Sequence, residues 1–125
     1  MREGTLVFDG ECGFCTRCVH LLHRLDRSDR VTTVPFQTPG VPESIGASPE
    51  QCRSSLQWRG PGGERRSGAA AVNAVLDVLT RTSAPSRVYR ATAGLQERAY
   101  AWVARNRTRL PGTTPHCAAE PGACR

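Results

Sequence analysis

The sequence predicts an α/β fold in which a βαβ unit is followed by a β-hairpin and C-terminal helices. Apolar residues first form a short continuous run, then repeat with the period of a helix, and then give way to a β-branched segment. Farther along the chain, a Gly- and Pro-rich loop separates two short strand-like segments, and an alanine-rich segment follows. The length of 125 residues fits one domain of ordinary size.

The N-terminal segment predicts the βαβ unit. The apolar run 5–8 is predicted to be a buried strand that stops at the turn-forming pair Asp9 and Gly10. A helix is predicted from about Cys12 to residue 25, and the segment 31–36 is predicted to be the second strand. Connections this short make the strands parallel and the crossover right-handed. The buried face of the helix is expected to comprise Cys15, Val19, Leu22 and Leu25, with Cys18 and Leu21 beside them.

The remaining elements form the hairpin and the covering helices. A short helical turn is predicted near 41–45, a third strand at 54–59 and a charged edge strand at 64–66. Ser67 is placed to cap a helix, and a last helix is predicted at about 95–107. The two helices are expected to bury Val72, Val75, Leu76, Leu79, Leu95, Ala99, Trp102 and Val103. This order of elements matches the thioredoxin-like arrangement, with a domain at 1–110 and a cysteine-containing C-terminal tail at 111–125.

Composition argues against several classes of protein. The N-terminus lacks the long apolar region of a signal peptide, and no segment approaches the roughly 20 apolar residues that span a bilayer. The net charge is +6, but the arginines neither form a block nor alternate with aromatic residues, so we expect no nucleic-acid partner. We expect a soluble, cytoplasmic protein without membrane partners, in a compartment that keeps thiols reduced.

Three cysteines, Cys12, Cys15 and Cys18, follow the first predicted strand at three-residue spacing. Cys12 falls in the first turn of the helix, where unpaired N–H groups and the helix dipole stabilise a thiolate. Cys15 lies one turn deeper on the apolar face, where it can release a mixed disulfide formed at Cys12. A C-x-x-C pair beside a βαβ unit is a recognised redox pattern. We therefore predict a thiol-disulfide oxidoreductase that needs no organic cofactor.

The roles of the neighbouring residues have alternatives. Asp9 is a candidate catalytic group that takes or relays the proton of Cys15, and the alternative is a turn-forming or helix-capping residue. Cys18 is expected to be a buried core residue, and Cys52 is expected to be core or partly exposed.

A small metal-binding module is the competing function. The run C-x-x-C-x-x-C resembles the start of an iron–sulfur motif, although Leu22 stands where the fourth cysteine belongs. A zinc site built on Cys12 and Cys15 needs two more ligands, which the tail offers in His116, Cys117 and Cys124.

Several segments together resemble the DCC family (DUF393) of thiol-disulfide oxidoreductases. The opening motif of that family is similar to the segment 8–15, and its defining Asp and two Cys correspond to Asp9, Cys12 and Cys15. Further similar segments are Val34–Thr38, Arg66–Leu79 and Ala104–Arg107, so that the resemblance covers roughly residues 6–117.

The resemblance implies a thioredoxin-like fold and a dithiol-disulfide activity. The implied partners are a disulfide-containing protein or a low-molecular-weight thiol as substrate, together with an external reductant. The two tail cysteines, Cys117 and Cys124, have two open roles: they form their own bridge, or one of them is a further resolving thiol.

Overall fold

The computed structural model describes residues 3–125, which form a mixed sheet and the helices around it. In chain order the elements are β1 (Gly4–Phe8), α1 (Gly13–Leu25), β2 (Val31–Pro35), α2 (Val41–Ser44), α3 (Pro49–Ser54), β3 (Gln57–Arg59), β4 (Arg65–Ser67), α4 (Gly68–Thr80), α5 (Ala84–Asn106) and α6 (His116–Ala119), followed by a 3₁₀ turn at Pro121–Cys124.

The sheet has the strand order β2-β1-β3-β4. Strand β1 pairs with β2 in parallel, so that Val7 lies opposite Val34. Strand β3 is antiparallel to both β1 and β4, and the short, charged β4 forms one edge of the sheet. This topology is the predicted βαβ unit followed by a β-hairpin, and it confirms the thioredoxin-like α/β fold.

Two apolar clusters hold helices on opposite faces of the sheet. Because successive strand residues point to opposite faces, Leu6 packs with α1 and α4 whereas Val7 packs with the side that carries α2 and α3. The fully buried Val31 joins the first cluster, and Phe36 joins the second. Strand β1 is one of the two inner strands of the sheet and is covered on both faces. The turn after it places the N-terminus of α1 at one end of the sheet.

Two predicted element boundaries are wrong. Residue 54 ends helix α3 instead of beginning a strand, because Ser48 and Gln51 form a reciprocal capping box that starts a helix at Pro49. Helix α5 begins at residue 84 instead of about 95, with a proline in its first turn, where the missing N–H removes no helical hydrogen bond. A kink at Thr92 divides this helix, and its second part corresponds to the predicted one.

The predicted buried faces of α1, α4 and α5 are also wrong in part. Helix α4 packs on the sheet through Ala71, Ala74, Val75 and Val78, a stripe rotated by one residue, or about 100°, from the predicted one. The small alanines let the helix approach the sheet closely, which leaves larger side chains outside. Apolar side chains that were predicted to be buried but are exposed are Leu21, Leu25, Val72, Leu76, Leu95, Ala99 and Trp102.

The helices of residues 3–125 include none that is long and apolar enough to cross a membrane.

Candidate active site

Cys12 lies at the junction of β1 and α1, at the carboxyl end of a central strand. It is the N-cap of α1, with an extended backbone, and its Sγ accepts a hydrogen bond from the amide of Cys15 at 3.2 Å. The backbone amide of Cys12 in turn donates to the carbonyl of Asp9 at 3.2 Å. The sulfur therefore receives one of the N–H groups that the start of a helix leaves without an intrahelical partner. The dipole of the helix adds positive potential at the same place.

Cys15 lies one turn farther along α1 and is half-buried. Burial, together with the hydrogen bond and the negative charge that Cys12 presents to it, raises the pKa of the Cys15 thiol to about 12. Both residues carry free thiols in the structure. The pair is therefore asymmetric: one sulfur caps a helix, and the other is held as a protonated thiol at neutral pH.

Arg107 connects the second cysteine to Asp9. Its Nη2 lies 3.2 Å from Asp9 Oδ2, and its Nη1 lies 3.9 Å from the sulfur of Cys15. Burial opposes the charge of Arg107, but the Asp9 carboxylate and the sulfurs of Cys15 and Cys12 outweigh it and raise the pKa of the guanidinium above its ordinary value. The arginine stays charged and opposes the rise in the pKa of Cys15.

Asp9 is buried and has a partner for each oxygen. Oδ1 accepts hydrogen bonds from the amide of Glu11 at 3.0 Å and from Nε2 of Gln37 at 2.8 Å, while Oδ2 faces Arg107. The other end of the Gln37 amide accepts from the amide of Gly10 at 3.0 Å. Gln37 thus holds the turn after β1 in place, and Asp9 is both a turn residue and the partner of the arginine beside Cys15.

An apolar groove of about 290 Å³ leads to Cys15 between α1, α4 and α5. Helix α5 lines it with Tyr100, Val103, Ala104 and Arg107, which recur at helical spacing on one face. The hydroxyl of Tyr100 accepts a hydrogen bond from the amide of Leu56 at 2.8 Å. Burial is the main cause that raises the pKa of this tyrosine. The exposed leucines and valines of α1 and α4 form the walls of the groove.

The other cysteines have different surroundings. Cys18 is exposed and lines the groove, so the expectation of a buried core residue is wrong. The reason is that α1 meets the sheet through Val19 and Leu22, which turns the neighbouring side of the helix outward. Cys52 is buried in the core cluster on the opposite face of the sheet. A core position was one of the two placements expected for it.

The C-terminal segment 111–125 crosses the turn that carries Cys12. The amide of Thr113 donates to the carbonyl of Gly13 at 3.2 Å, and the amide of Cys117 donates to the carbonyl of Gly10 at 2.9 Å. The tail cysteines are joined in a disulfide, Cys117–Cys124. In the part of the chain that the structure describes, no three His, Cys, Asp or Glu side chains are placed to hold a metal ion. The metal-binding alternative therefore has no donor set in residues 3–125.

Sequence reasoning selected Asp9, Cys12 and Cys15, and the structure brings them to one place. It assigned no role to Gln37, Tyr100 or Arg107. The only sequence signal for Gln37 and Arg107 was their presence in segments that resemble the DCC family, because their contacts with Asp9 join distant parts of the chain.

Comparison with known proteins agrees with the resemblance. A family model described as DCC1-like thiol-disulfide oxidoreductase matches residues 6–113. The searches of curated proteins and of solved structures returned no match.

Proposed function

Because the chain belongs to the DCC1-like thiol-disulfide oxidoreductase family, we propose that Cys12 and Cys15 are the pair that exchanges with substrate disulfides. In this proposal the protein is a reductase for protein or low-molecular-weight disulfides, and it works in the cytoplasm. An external thiol reductant restores the dithiol after each cycle, and the two sulfurs carry the electrons without an organic cofactor.

Cys12 starts the reaction as the nucleophile. Its thiolate attacks one sulfur of the substrate disulfide, a new bond joins Cys12 to that sulfur, and the other substrate sulfur leaves as a thiolate. The amide of Cys15 supports this assignment, because its hydrogen bond of 3.2 Å to Cys12 Sγ stabilises negative charge on the sulfur that attacks. The helix dipole acts in the same direction.

Cys15 completes the reaction as the resolving thiol. Its sulfur attacks Cys12, the Cys12–Cys15 disulfide forms, and the second substrate sulfur leaves as a thiolate. Cys15 has to lose its proton first, and the burial that raises the pKa of this thiol makes that loss unfavourable at neutral pH. Asp9 lines the same groove as Cys15 and takes or relays this proton in our proposal. Arg107 positions the carboxylate and stabilises the thiolate that results.

The single observation that carries the proposal is the contact between the two cysteines at the start of α1. A test measures reduction of a fluorogenic peptide disulfide with dithiothreitol as the reductant. Cys12→Ser should abolish the catalysed rate. Cys18→Ser, which removes the exposed thiol one turn beyond Cys15 on the same helix, should leave the rate unchanged. Equal rates for Cys12→Ser and the unchanged protein would refute the proposal.

A further inference from the structure

The Cys117–Cys124 disulfide lies against the turn that carries Cys12. A Cβ built on Gly10 would lie 2.7 Å from the sulfur of Cys117, so this sulfur rests on the backbone two residues before Cys12. The amide of Cys117 donates to the carbonyl of Gly10, which holds the two backbones side by side. Only a glycine leaves room for this contact.

Two further hydrogen bonds fix the segment over the N-terminus of α1. The amide of His116 donates to Oγ1 of Thr16 at 3.1 Å, and the same hydroxyl donates to the carbonyl of Cys12 at 2.9 Å. The hydroxyl of Thr38 also donates to the carbonyl of Ala123, next to the second tail cysteine. The tail disulfide is therefore docked against the turn that carries Cys12 by contacts at both of its ends.

We propose that Cys117–Cys124 is a second, internal redox pair that exchanges electrons with Cys12 and Cys15. This inference rests on the proposed function of Cys12 and Cys15. The family match ends at residue 113, so the tail pair lies outside the matched region. Cys117 and Cys124 are both partly exposed, which leaves the tail pair open to a partner that carries a dithiol or a disulfide.

The proposed exchange conserves bonds, electrons and protons within the chain. The Cys12 thiolate attacks Cys117, a Cys12–Cys117 bond forms, and Cys124 leaves as a thiolate. The Cys15 thiolate then attacks Cys12, the Cys12–Cys15 bond forms, and Cys117 leaves as a thiolate. Cys12 and Cys15 are oxidised by two electrons, Cys117 and Cys124 are reduced by two, and two protons pass from the first pair to the second. The reverse sequence carries electrons from the tail to the active pair.

We expect Cys117 to be the tail sulfur that Cys12 attacks, because Cys117 lies against the Gly10 backbone two residues before Cys12. The double variant Cys15→Ser/Cys124→Ser keeps only Cys12 and Cys117 of the two pairs. After equilibration in a glutathione redox buffer, acid quenching and alkylation, peptide mass spectrometry should find a Cys12–Cys117 link. Its yield should not depend on protein concentration, because a docked tail gives the second thiol an effective concentration of millimolar or more.

The matched control is Cys15→Ser/Cys117→Ser, which keeps Cys12 and Cys124. Its internal link should form less readily, since Cys117 and not Cys124 contacts the Gly10 backbone. Equal linking by both variants would overturn the choice of Cys117 as the attacked sulfur. Links that form only between molecules would overturn the internal exchange between the two pairs, which we call the relay.

The unchanged chain provides a test that needs no variant. Protein with both disulfides formed receives one equivalent of dithiothreitol and is quenched with acid at successive times. The relay requires the thiols to reach their equilibrium distribution between the two pairs at a rate independent of protein concentration. A rate that rises in proportion to protein concentration would overturn it.

The relay and the proposed function can fail separately. The variant Cys117→Ser/Cys124→Ser retains Cys12 and Cys15 and is assayed with the peptide disulfide. If it reduces the peptide while the Cys12–Cys117 link is absent, the relay is refuted and the proposed function stands. If neither this variant nor the unchanged protein catalyses the reduction and the link is absent, both are refuted.

Discussion

Replacing the carboxylate of Asp9 tests whether it serves the resolving step. Asp9→Asn keeps the size of the side chain and one oxygen for the hydrogen bonds from Glu11 and Gln37, but it removes the proton acceptor. Burial keeps the pKa of Cys15 above its ordinary value in the mixed disulfide as well, so only a small fraction of this thiol is ionised at pH 7. A general base contributes about 10²–10⁴ to such a step. We therefore expect Asp9→Asn to slow resolution by at least about 10² at pH 7.

The pH dependence separates this role from a structural one. In Asp9→Asn the resolving rate should rise about tenfold per pH unit from neutral pH upward, because it follows the population of Cys15 thiolate. Chemical-quench experiments on a single turnover measure the mixed disulfide at Cys12 as it forms and decays. Formation should keep its rate, and only decay should slow.

The matched control is Glu11→Gln, which removes an exposed carboxylate two residues away. It should leave both steps unchanged. A decay rate in Asp9→Asn that equals that of the unchanged protein across this pH range would refute the role of Asp9 as a proton acceptor.

Three further predictions concern stability and the tail. Arg107→Met should lower the free energy of unfolding by about 2 kcal/mol, because it leaves the buried carboxylate of Asp9 without its cation. This value lies between those typical of exposed and of buried ion pairs. The exposed Arg105→Met on the same helix should change it by less than about 0.5 kcal/mol in the same denaturant titration. Because folding raises the pKa of Cys15, the protonated thiol stabilises the fold fully below about pH 9, and this stabilisation is lost progressively as the pH rises toward 12. In Cys15→Ser the free energy of unfolding, measured by denaturant titration, should therefore fall less steeply over this pH range. Gly13→Ala would place a Cβ 2.5 Å from a carbonyl oxygen of the C-terminal segment, so we expect faster proteolysis of the tail; Gly122→Ala, which meets nothing within 4 Å, should match the unchanged protein.

The βαβ unit and the cysteine pair were predictable because their signals are local. The change from a continuous apolar run to helical period locates the end of β1, and that end places Cys12 at the N-terminus of α1. The spacing of three residues then places Cys15 one turn below it. None of these inferences needs knowledge of how distant segments pack.

The predictions that failed depend on tertiary packing. Sequence pattern ranks Val72 and Leu76 above alanines as core residues, but the close approach of α4 to the sheet selects Ala71 and Ala74 instead. Likewise, no local pattern indicates that Arg107 reaches Asp9.

The pairing of Cys117 and Cys124 could not be predicted from the sequence for a related reason. Sequence spacing alone does not determine the connectivity of cysteines. The docking of Cys117 on Gly10 joins distant parts of the chain, so only the three-dimensional structure places this disulfide against the turn that carries Cys12.

The central claim is that Cys12 attacks and Cys15 resolves, and trapping of mixed disulfides tests it most directly. Cys12→Ser and Cys15→Ser are each incubated with a peptide disulfide, quenched with acid, alkylated and mapped by mass spectrometry. Cys15→Ser should accumulate the peptide on Cys12, because the half-buried thiol that releases it is missing. Cys12→Ser should accumulate none on Cys15, because burial raises the pKa of this thiol and keeps it protonated. Equal trapping by the two variants would contradict the account.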